Sequence, residues 1–339
     1  MQPTSTTVPT ATTAPAATAA PTATTAPTAT PVPTATAAPT STAPATAVPT
    51  ASPTLPVSQV DDPVIAGAGN IACDPASPSF NNGSGTAAAC QQRATSDLLV
   101  ARHLAAVFTL GDNQYENGSP AAFGQVYDPA WGRVRTITHP AIGNHDYQTA
   151  GAAGYFGYFG AAAGDPARGY YSYTIGSWHI VVLNSECNQV GGCGTGSPQE
   201  QWLRADLAAH PALCTLAYWH EPRFSSGTSG GNVGYDAFWR DLYAAGADVV
   251  LNGHDHDYQR FAPQSPDGVL DQARGIREFV VGTGGKGHDS FGAIQPNSEV
   301  RNNSTFGVLA LTLHPGSYDW AFVPIAGQTF TDAGSMACH

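Results

Sequence analysis

Two kinds of hydrophobic pattern alternate along the chain after residue 61. Short apolar runs that end in polar clusters predict buried strands in "PVIAGAG", "AVFTLGD", "THPAIGNHD", "CTLAYWHEP", "DVVLNGHDHDYQR" and "REFVVGTGG". Apolar residues at helical spacing predict helices in "TAAACQQRATSDLLVARHLA", "SPQEQWLRADLAAH" and "YDAFWRDLYAAG". Antiparallel hairpins are predicted in "YYSYTIGSWHIVVLNSE", with a turn at Gly176–Ser177, and in "FGVLALTLHPGSYDWAFVP". This order predicts an α/β protein with parallel central strands and antiparallel additions.

The first 60 residues follow neither pattern. They are almost entirely Thr, Ala, Pro, Ser and Val, as in "PTATTAPTATPVPTATAAPT", and no charged residue precedes Asp61. Proline lacks an amide hydrogen and no large apolar side chains are present, so we expect no core there. The sequence predicts a disordered, polyproline-II-like stalk over 1–60 and one folded domain over 61–339. O-glycosylation is common on such stalks, and an unmodified linker is the alternative.

Polar residues stand where the predicted strands end. In α/β folds, ligands bind beyond the carboxyl ends of the parallel strands. Imidazole, carboxylate and amide groups suit divalent or trivalent metal ions. A metal site at one sheet edge is therefore predicted from the strand-end residues Asn70, Asp112, Asn144, His145, His220, His254 and His256.

The formal net charge of -12 argues against a nucleic-acid-binding surface, which needs a basic patch. No apolar run is long enough to span a bilayer, so no membrane span is predicted. The start "MQPTSTT" lacks the basic and apolar parts of a secretory signal. Because the stalk is typical of exported proteins, we expect an extracellular or cell-surface location and a signal removed from this sequence. Attachment of the stalk to the cell envelope is a further expectation.

Six cysteines support export. An even number without a CxxC pair favours disulfides over a zinc site. Two pairs look local, and their assignment leaves one long-range pair; six buried free thiols are the alternative. The expected pairs are Cys73–Cys90, Cys187–Cys193 and Cys214–Cys338.

Four motifs resemble those of a known family, the calcineurin-like metallophosphoesterases. They are "GDNQY" (111–115), "GNHD" (143–146), "YWH" (218–220) and "GHDHDYQR" (253–260). The resemblance covers essentially all of residues 62–339. The Asp-x-x-Tyr spacing and the last motif are similar to the purple acid phosphatase branch. The resemblance implies a four-layer α/β/β/α sandwich with mixed sheets.

The resemblance also implies a dinuclear metal centre, with iron and a second ion of iron, zinc or manganese. Asp112 would bridge both ions, and His145 would donate a proton or contact phosphate, oriented by Asp146. The other implied ligands are Asn144, His220 and His254 at one ion and Asn70, Tyr115 and His256 at the other. Tyr115 would bind Fe³⁺ as phenolate. Arg260, His288 and the "GTGGKGH" loop (282–288) are expected near the substrate. A pocket-wall tyrosine and a turn-capping aspartate are the alternatives for Tyr115 and Asp146.

Asn70 departs from the family pattern, which usually places Asp there and often His at the position of Ala72. A neutral amide is expected to weaken metal binding, most of all for a trivalent ion. Three explanations stay open: an active enzyme with an altered first site, a catalytically silent stalked surface or binding module, or an engineered change. Retention of the other motif residues favours the enzyme.

The sequence thus predicts an exported, metal-dependent phosphoesterase. It would cleave a small-molecule phosphomonoester or phosphodiester with a metal-bound hydroxide, while a nearby acid protonates the leaving oxygen.

Overall fold

Two mixed β-sheets form the centre of the fold in a computed structural model that describes residues 62–339. The predicted stalk over 1–60 lies outside these described residues. The strands in chain order are β1 Val64–Ala68, β2 Ala106–Leu110, β3 Thr138–Ala141, β4 Tyr171–Ile175, β5 Trp178–Val182, β6 Cys214–Tyr218, β7 Val249–Asn252, β8 Tyr258–Phe261, β9 Arg277–Val281, β10 Ser298–Asn302, β11 Gly307–His314, β12 Ser317–Pro324 and β13 Ala333–Ala337.

Both sheets combine parallel and antiparallel strands. The first sheet has the order β13-β12-β11-β1-β2-β3, and the second has the order β10-β8-β9-β7-β6-β5-β4. Strands β1–β3 pair in parallel, as do β5, β6, β7 and β9. The hairpins β4–β5 and β11–β12 are antiparallel. The predicted parallel centre with antiparallel additions is confirmed.

Helices and helical turns occupy the connections. The helices are α1 Gln92–Val100, α2 Pro120–Ala122, α3 Asp128–Ala130, α4 Ala153–Phe159, α5 Pro198–Ala209 and α6 Asp236–Ala244. A π-helical turn at Phe123–Tyr127 and a 3₁₀ segment at Trp131–Ile137 extend the region around α2 and α3. Helix α1 begins later than its sequence pattern predicts because Cys90 has a φ of +62°, which a right-handed helix excludes.

Alternate residues of β5 show how the layers pack. Ile180 and Val182 lie in a core shared by both sheets. Val181 points the other way, into a second core that includes Leu203 of α5 and Phe238 of α6. Successive strand side chains face opposite sides, so a strand covered on both faces is apolar throughout. The helices therefore cover the sheets from outside, and the predicted sandwich is confirmed.

The three expected disulfides are confirmed. Cys73 pairs with Cys90, and Cys187 pairs with Cys193 across a short loop. The third bond joins the first residue of β6 to the chain just after β13, through Cys214 and Cys338. It therefore links the second sheet to the edge of the first.

Removal of the long-range disulfide is expected to destabilise the fold most. The Cys214–Cys338 bond closes a loop with a sequence separation of 124, against 6 for Cys187–Cys193. Cross-links over longer loops restrict the unfolded chain more, so we expect Cys214→Ala/Cys338→Ala to lower the free energy of unfolding by about 4–5 kcal/mol. Denaturant titration checks this, with Cys187→Ala/Cys193→Ala as the short-loop control. An equal or larger loss in the control would contradict the prediction.

Candidate metal centre

Each candidate ligand follows the carboxyl end of a strand. Asn70 follows β1 and Asp112 follows β2, each separated from the strand by one glycine. His220 follows β6, His254 follows β7, and Asn144 follows β3. Because these strands are parallel within each sheet and the two sheets are packed together, the ligands converge at one edge of the sandwich.

Glycines make room for these strand-end turns. Gly111 has a φ of +80°, and a Cβ there would lie 2.4 Å from His220 Nδ1. A Cβ on Gly143 would lie 2.3 Å from the amide nitrogen of Asp112. Only glycine lets the backbone approach so closely. The glycines in "GDNQY" and "GNHD" are therefore part of how the site is built.

Three candidate ligands have left-handed backbone conformations. The φ angles are +57° at Asn70, +49° at Asp112 and +70° at His254. Residues other than glycine adopt this region at a cost of about 1–3 kcal/mol and retain it where the surrounding structure holds them. Such residues are concentrated at functional sites, so their grouping here supports a function at this edge.

One group of donor atoms surrounds Nε2 of His220. This nitrogen lies 3.1 Å from Asn144 Oδ1, 3.2 Å from His254 Nδ1 and 3.3 Å from Asp112 Oδ1. The other ring nitrogen, Nδ1, lies 2.7 Å from the carbonyl oxygen of Leu110. That contact points Nε2 at the other donors, as the outer hydrogen bond of a ligating histidine does. We call these four residues the first donor group.

A second donor group surrounds the hydroxyl of Tyr115. The hydroxyl donates to Asp112 Oδ2 at 2.7 Å and accepts from Asn70 Nδ2 at 2.7 Å. It lies 3.1 Å from His256 Nε2. Asp112 contributes Oδ1 to the first donor group and Oδ2 to the second. Its carboxylate therefore joins the two groups.

Charge at the site is concentrated on one pair. Burial alone would raise the pKa of the Asp112 carboxyl, but attraction to His220 outweighs it and holds that pKa well below its usual value. Burial alone would lower the pKa of His220, but Asp112 raises it to about 9. Burial lowers the pKa of His254 and of His256, which favours the neutral imidazole that binds metals. Burial, followed by the charge of Asp112, raises the pKa of Tyr115 well above its usual value.

The donor set fits a pair of metal ions. Each donor group offers at least one imidazole nitrogen and one oxygen of the same carboxylate, and these are ligands for borderline metals. Asn70 is the least suitable member, because the protein already uses its amide. Its Oδ1 accepts from the His254 amide at 2.9 Å, and its Nδ2 also lies 3.3 Å from the His254 carbonyl oxygen. The first donor group is therefore the better formed.

His145 lies on the open side of the donor groups, with its side chain 25% exposed. Its backbone amide donates to Asp112 Oδ1 at 2.9 Å. Its ring centre lies 4.4 Å from that of Tyr115. Ring nitrogen Nδ1 lies 2.5 Å from the carbonyl oxygen of Glu116 and 3.2 Å from Gln148 Nε2.

The prediction that Asp146 orients His145 is wrong. Asp146 is fully buried, and its Oδ2 accepts from the amide of Gly143 at 3.0 Å and from the amide and side chain of Asn113 at 3.2 and 3.0 Å. Burial, followed by the charge of Asp112, raises the pKa of Asp146 to about 6. The carboxylate thus ties the "GDNQY" loop to the "GNHD" loop and positions them.

A family comparison decides what this site belongs to. The calcineurin-like phosphoesterase family profile matches residues 91–258, a range that holds Asp112, Asn144, His220 and His254. The chain belongs to the calcineurin-like phosphoesterase family. The family resemblance predicted from the four motifs is confirmed.

Purple acid phosphatases are among the relatives of this family member. Purple acid phosphatase 15 from Arabidopsis thaliana is 33% identical over 104 residues, which are 29% of this chain and 19% of that protein. Probable inactive purple acid phosphatase 27 from the same plant is 23% identical over 257 residues, 64% of this chain and 41% of that protein. The chain spans less than half the length of the curated relatives it matches.

The same fold occurs in a solved purple acid phosphatase from yellow lupin (Lupinus luteus) seeds. That structure has a TM-score of 0.63 and 19% sequence identity, and it covers 81% of this chain and 53% of the lupin chain. The predicted calcineurin-like α/β fold with mixed sheets is confirmed.

Arg260 and His288 lie outside both donor groups of this phosphoesterase. Arg260 donates from Nε to Asp332 Oδ2 at 2.7 Å and also pairs with Glu299. These ion pairs satisfy the guanidinium, so the predicted substrate contact of Arg260 is corrected to a structural role. His288 Nδ1 lies 3.3 Å from the carbonyl oxygen of His256. His288 thus contacts the backbone of a candidate ligand, and its expected place near the substrate stays a prediction.

Two charged residues at the rim were missed as individual site residues. Lys286 pairs with Glu116, and both lie beside Tyr115. Glu116 directly follows the "GDNQY" motif, and Lys286 lies in the glycine-rich "GTGGKGH" loop. Lys286 could have been singled out from composition, because it is the only lysine in the sequence.

Another histidine–carboxylate group lies between β5 and α5. His179 Nε2 lies 2.8 Å from Asp206 Oδ2, and His210 Nδ1 lies 2.9 Å from the carbonyl oxygen of Asp206. Within residues 62–339, His179 Nδ1 is buried without a hydrogen-bond partner. A ligating histidine normally donates from its second nitrogen, so these contacts indicate a hydrogen-bonded packing cluster.

Proposed function

We propose that this chain hydrolyses a small-molecule phosphomonoester or phosphodiester with the help of two metal ions. The observation that carries the proposal is the carboxylate of Asp112, whose two oxygens join the two donor groups. Membership of the calcineurin-like phosphoesterase family supports phosphoester hydrolysis in general terms. The purple acid phosphatase fold supports a dinuclear centre.

Iron with iron, zinc or manganese is the proposed metal content. Asp112 would hold both ions. The first donor group would complete one site, and Asn70, Tyr115 and His256 would complete the other. Ions bound in this way lower the pKa of a coordinated water and neutralise charge on the phosphoryl group.

His145 is proposed as the proton donor to the leaving oxygen. The hydrogen bond from its backbone amide to Asp112 and the contact of its ring with Tyr115 fix its place beside the donor groups. The Glu116 carbonyl holds Nδ1, so the proton that moves is the one at Nε2. A positioned acid of this kind contributes about 10²–10⁴-fold to the rate. Asp146 acts through the two loops it joins.

The second candidate function is a catalytically silent surface module on the same fold. Asn70 is the observation that favours it, because its amide donates to Tyr115 and accepts from His254 in contacts that need no metal. The name of one relative, a probable inactive purple acid phosphatase, is in line with loss of activity within this group of proteins. The donor groups themselves favour the enzyme.

An extracellular or cell-surface location is proposed with this function. Disulfides persist in oxidising compartments, and all three pairs of cysteines are bonded. No helix among residues 62–339 has both the length and the apolar character needed to cross a membrane. Glycosylation of the stalk and its attachment to the envelope stay predictions from the sequence.

Metal content and hydrolysis of the full chain test the proposal together. After loading with iron, zinc or manganese, we expect two ions per chain by elemental analysis and release of nitrophenol from a nitrophenyl phosphomonoester, a diester or both. A visible absorption band on iron loading would support Tyr115 as a phenolate ligand. A chain that takes up no metal and cleaves neither ester would overturn the enzyme proposal and favour the silent module.

A further inference from the structure

A lone ammonium group stands beside the second donor group. Lys286 is the only lysine in a chain of net charge -12. Its Nζ lies 4.4 Å from the centre of the Tyr115 ring, and it forms an ion pair with Glu116. Lys286 therefore places a positive charge at the rim of a site whose second donor group consists of carboxylate, phenol, amide and imidazole groups.

The backbone of the loop that carries this cation is hydrogen-bonded to its surroundings. The Lys286 amide donates to the carbonyl oxygen of Asn70 at 2.9 Å, and the Gly284 amide donates to that of Gly69 at 2.9 Å. Thr95 Oγ1 donates to the carbonyl oxygen of Gly284 at 2.6 Å. The loop that carries Lys286 is therefore attached to the same strand end that carries a candidate metal ligand.

The ion pair with Glu116 is suited to exchange. The Glu116 side chain is 51% exposed, whereas that of Lys286 is 21% exposed. Ion pairs with such exposed partners contribute little to stability, so an incoming anion can replace the carboxylate at small cost. His145 contacts the same Tyr115 ring at 4.4 Å and the Glu116 carbonyl. Lys286 and His145 thus lie at one aromatic ring, with Glu116 in contact with both.

We propose that Lys286 binds a non-bridging oxygen of the substrate's phosphoryl group, replacing Glu116 as the partner of its ammonium. The inference rests on the proposed phosphoesterase function and deepens it by naming a substrate-binding residue. A compact ammonium acts as a point charge on phosphate. It therefore attracts the dianion of a phosphomonoester more strongly than the monoanion of a diester. Lys286 biases this site toward monoesters.

Steady-state kinetics of the metal-loaded full chain test this role. Lys286→Met is expected to raise KM for a nitrophenyl phosphomonoester about ten- to a hundredfold, because a charged hydrogen bond is lost. The expected change for the diester is smaller, metal content is unchanged, and Lys286→Arg restores most of the loss. An active enzyme whose KM for the monoester is the same in Lys286→Met and the parent would overturn the proposal and leave the phosphoesterase function intact.

Glu116→Gln provides a test in the opposite direction. Removal of the competing carboxylate is expected to lower KM for the monoester severalfold. That gain should vanish in Lys286→Met/Glu116→Gln. A lower KM that persists in the double variant would contradict the exchange of partners.

Amine labelling provides a readout that needs no catalysis. Lys286 carries the one side-chain amine of the sequence, so an amine-selective acetylating reagent targets Lys286 and the α-amino group, and peptide mass spectrometry reports on Lys286 with an internal control. We expect inorganic phosphate to slow acetylation of Lys286 at least about fivefold in the metal-loaded chain, in line with a charged contact, and to leave the α-amino group unaffected. Protection without ester hydrolysis would support this inference while the phosphoesterase proposal fails. No protection at saturating phosphate would overturn it.

Discussion

Asp112→Asn is expected to abolish metal binding at both donor groups and to reduce ester hydrolysis at least about a thousandfold. Asp112 is the one residue whose oxygens belong to both groups, and it is 2% exposed. Its negative charge is the one that both groups share, whereas the histidine and asparagine donors are neutral when they bind. Metal ions contribute several kcal/mol to phosphoryl transfer, and each 1.36 kcal/mol is a factor of ten in rate.

Elemental analysis, a nitrophenyl ester assay and circular dichroism measure this prediction. Asp206→Asn is the matched control, because Asp206 is also a buried carboxylate that contacts a histidine, His179, but lies outside the donor groups. The control is expected to lose stability and to keep its metal and its activity. An Asp112→Asn protein that binds two ions and works within tenfold of the parent would refute the shared-carboxylate interpretation.

The positions of the candidate metal donors were predictable because the fold places them by a simple rule. Asp112, His220 and His254 each follow an apolar strand after one intervening residue, and parallel strands bring such ends together. The pattern of buried runs was enough to place the donors at one edge. The left-handed backbone at Asn70 and Asp112 was not predictable, because it depends on tertiary contacts.

The errors have a common physical source, which is the direction in which a side chain points. Strand β8 alternates its faces, so Tyr258 and Arg260 point the same way, and both bond to Asp332. A motif read as a string of letters does not show this alternation. The family resemblance implied that Asp146 orients its neighbour His145, yet the Asp146 carboxylate turns inward to Asn113. In both cases the buried partner decided the role.

Asn70→Asp is expected to make the stability of the protein depend on metal. The new carboxylate would occupy a fully buried position, with one oxygen in place of the Nδ2 that lies 3.3 Å from the His254 carbonyl oxygen. It would also face Asp112 across the Tyr115 hydroxyl, which can donate its one hydrogen to only one of them. We expect the chelator-treated variant to lose about 1–3 kcal/mol of unfolding free energy, because a buried charge lacks a partner.

Metal ions should reverse this loss in Asn70→Asp. A second carboxylate in the second donor group neutralises more of the cation's charge, so we expect about ten- to a hundredfold tighter metal binding there. Changes to the groups that hydrogen-bond to metal ligands alter metal affinity by a similar factor. Melting temperature, metal titration and ester hydrolysis report the three effects separately. Asn184→Asp is the matched control. Asn184 is likewise buried. Its Nδ2 donates hydrogen bonds to the Tyr147 hydroxyl and the Arg168 carbonyl oxygen, and its Oδ1 accepts one from the Glu186 amide.

The pattern of results would decide between the two candidate functions. Metal should rescue the stability of Asn70→Asp and not that of Asn184→Asp, since only the first lies in a donor group. Higher activity in Asn70→Asp than in the parent would mean that the amide weakens an otherwise complete phosphoesterase. Rescue of stability without activity in either protein would favour the silent module. If metal stabilised neither variant, the second donor group would not be a metal site, and a single ion at the first group would have to account for any activity.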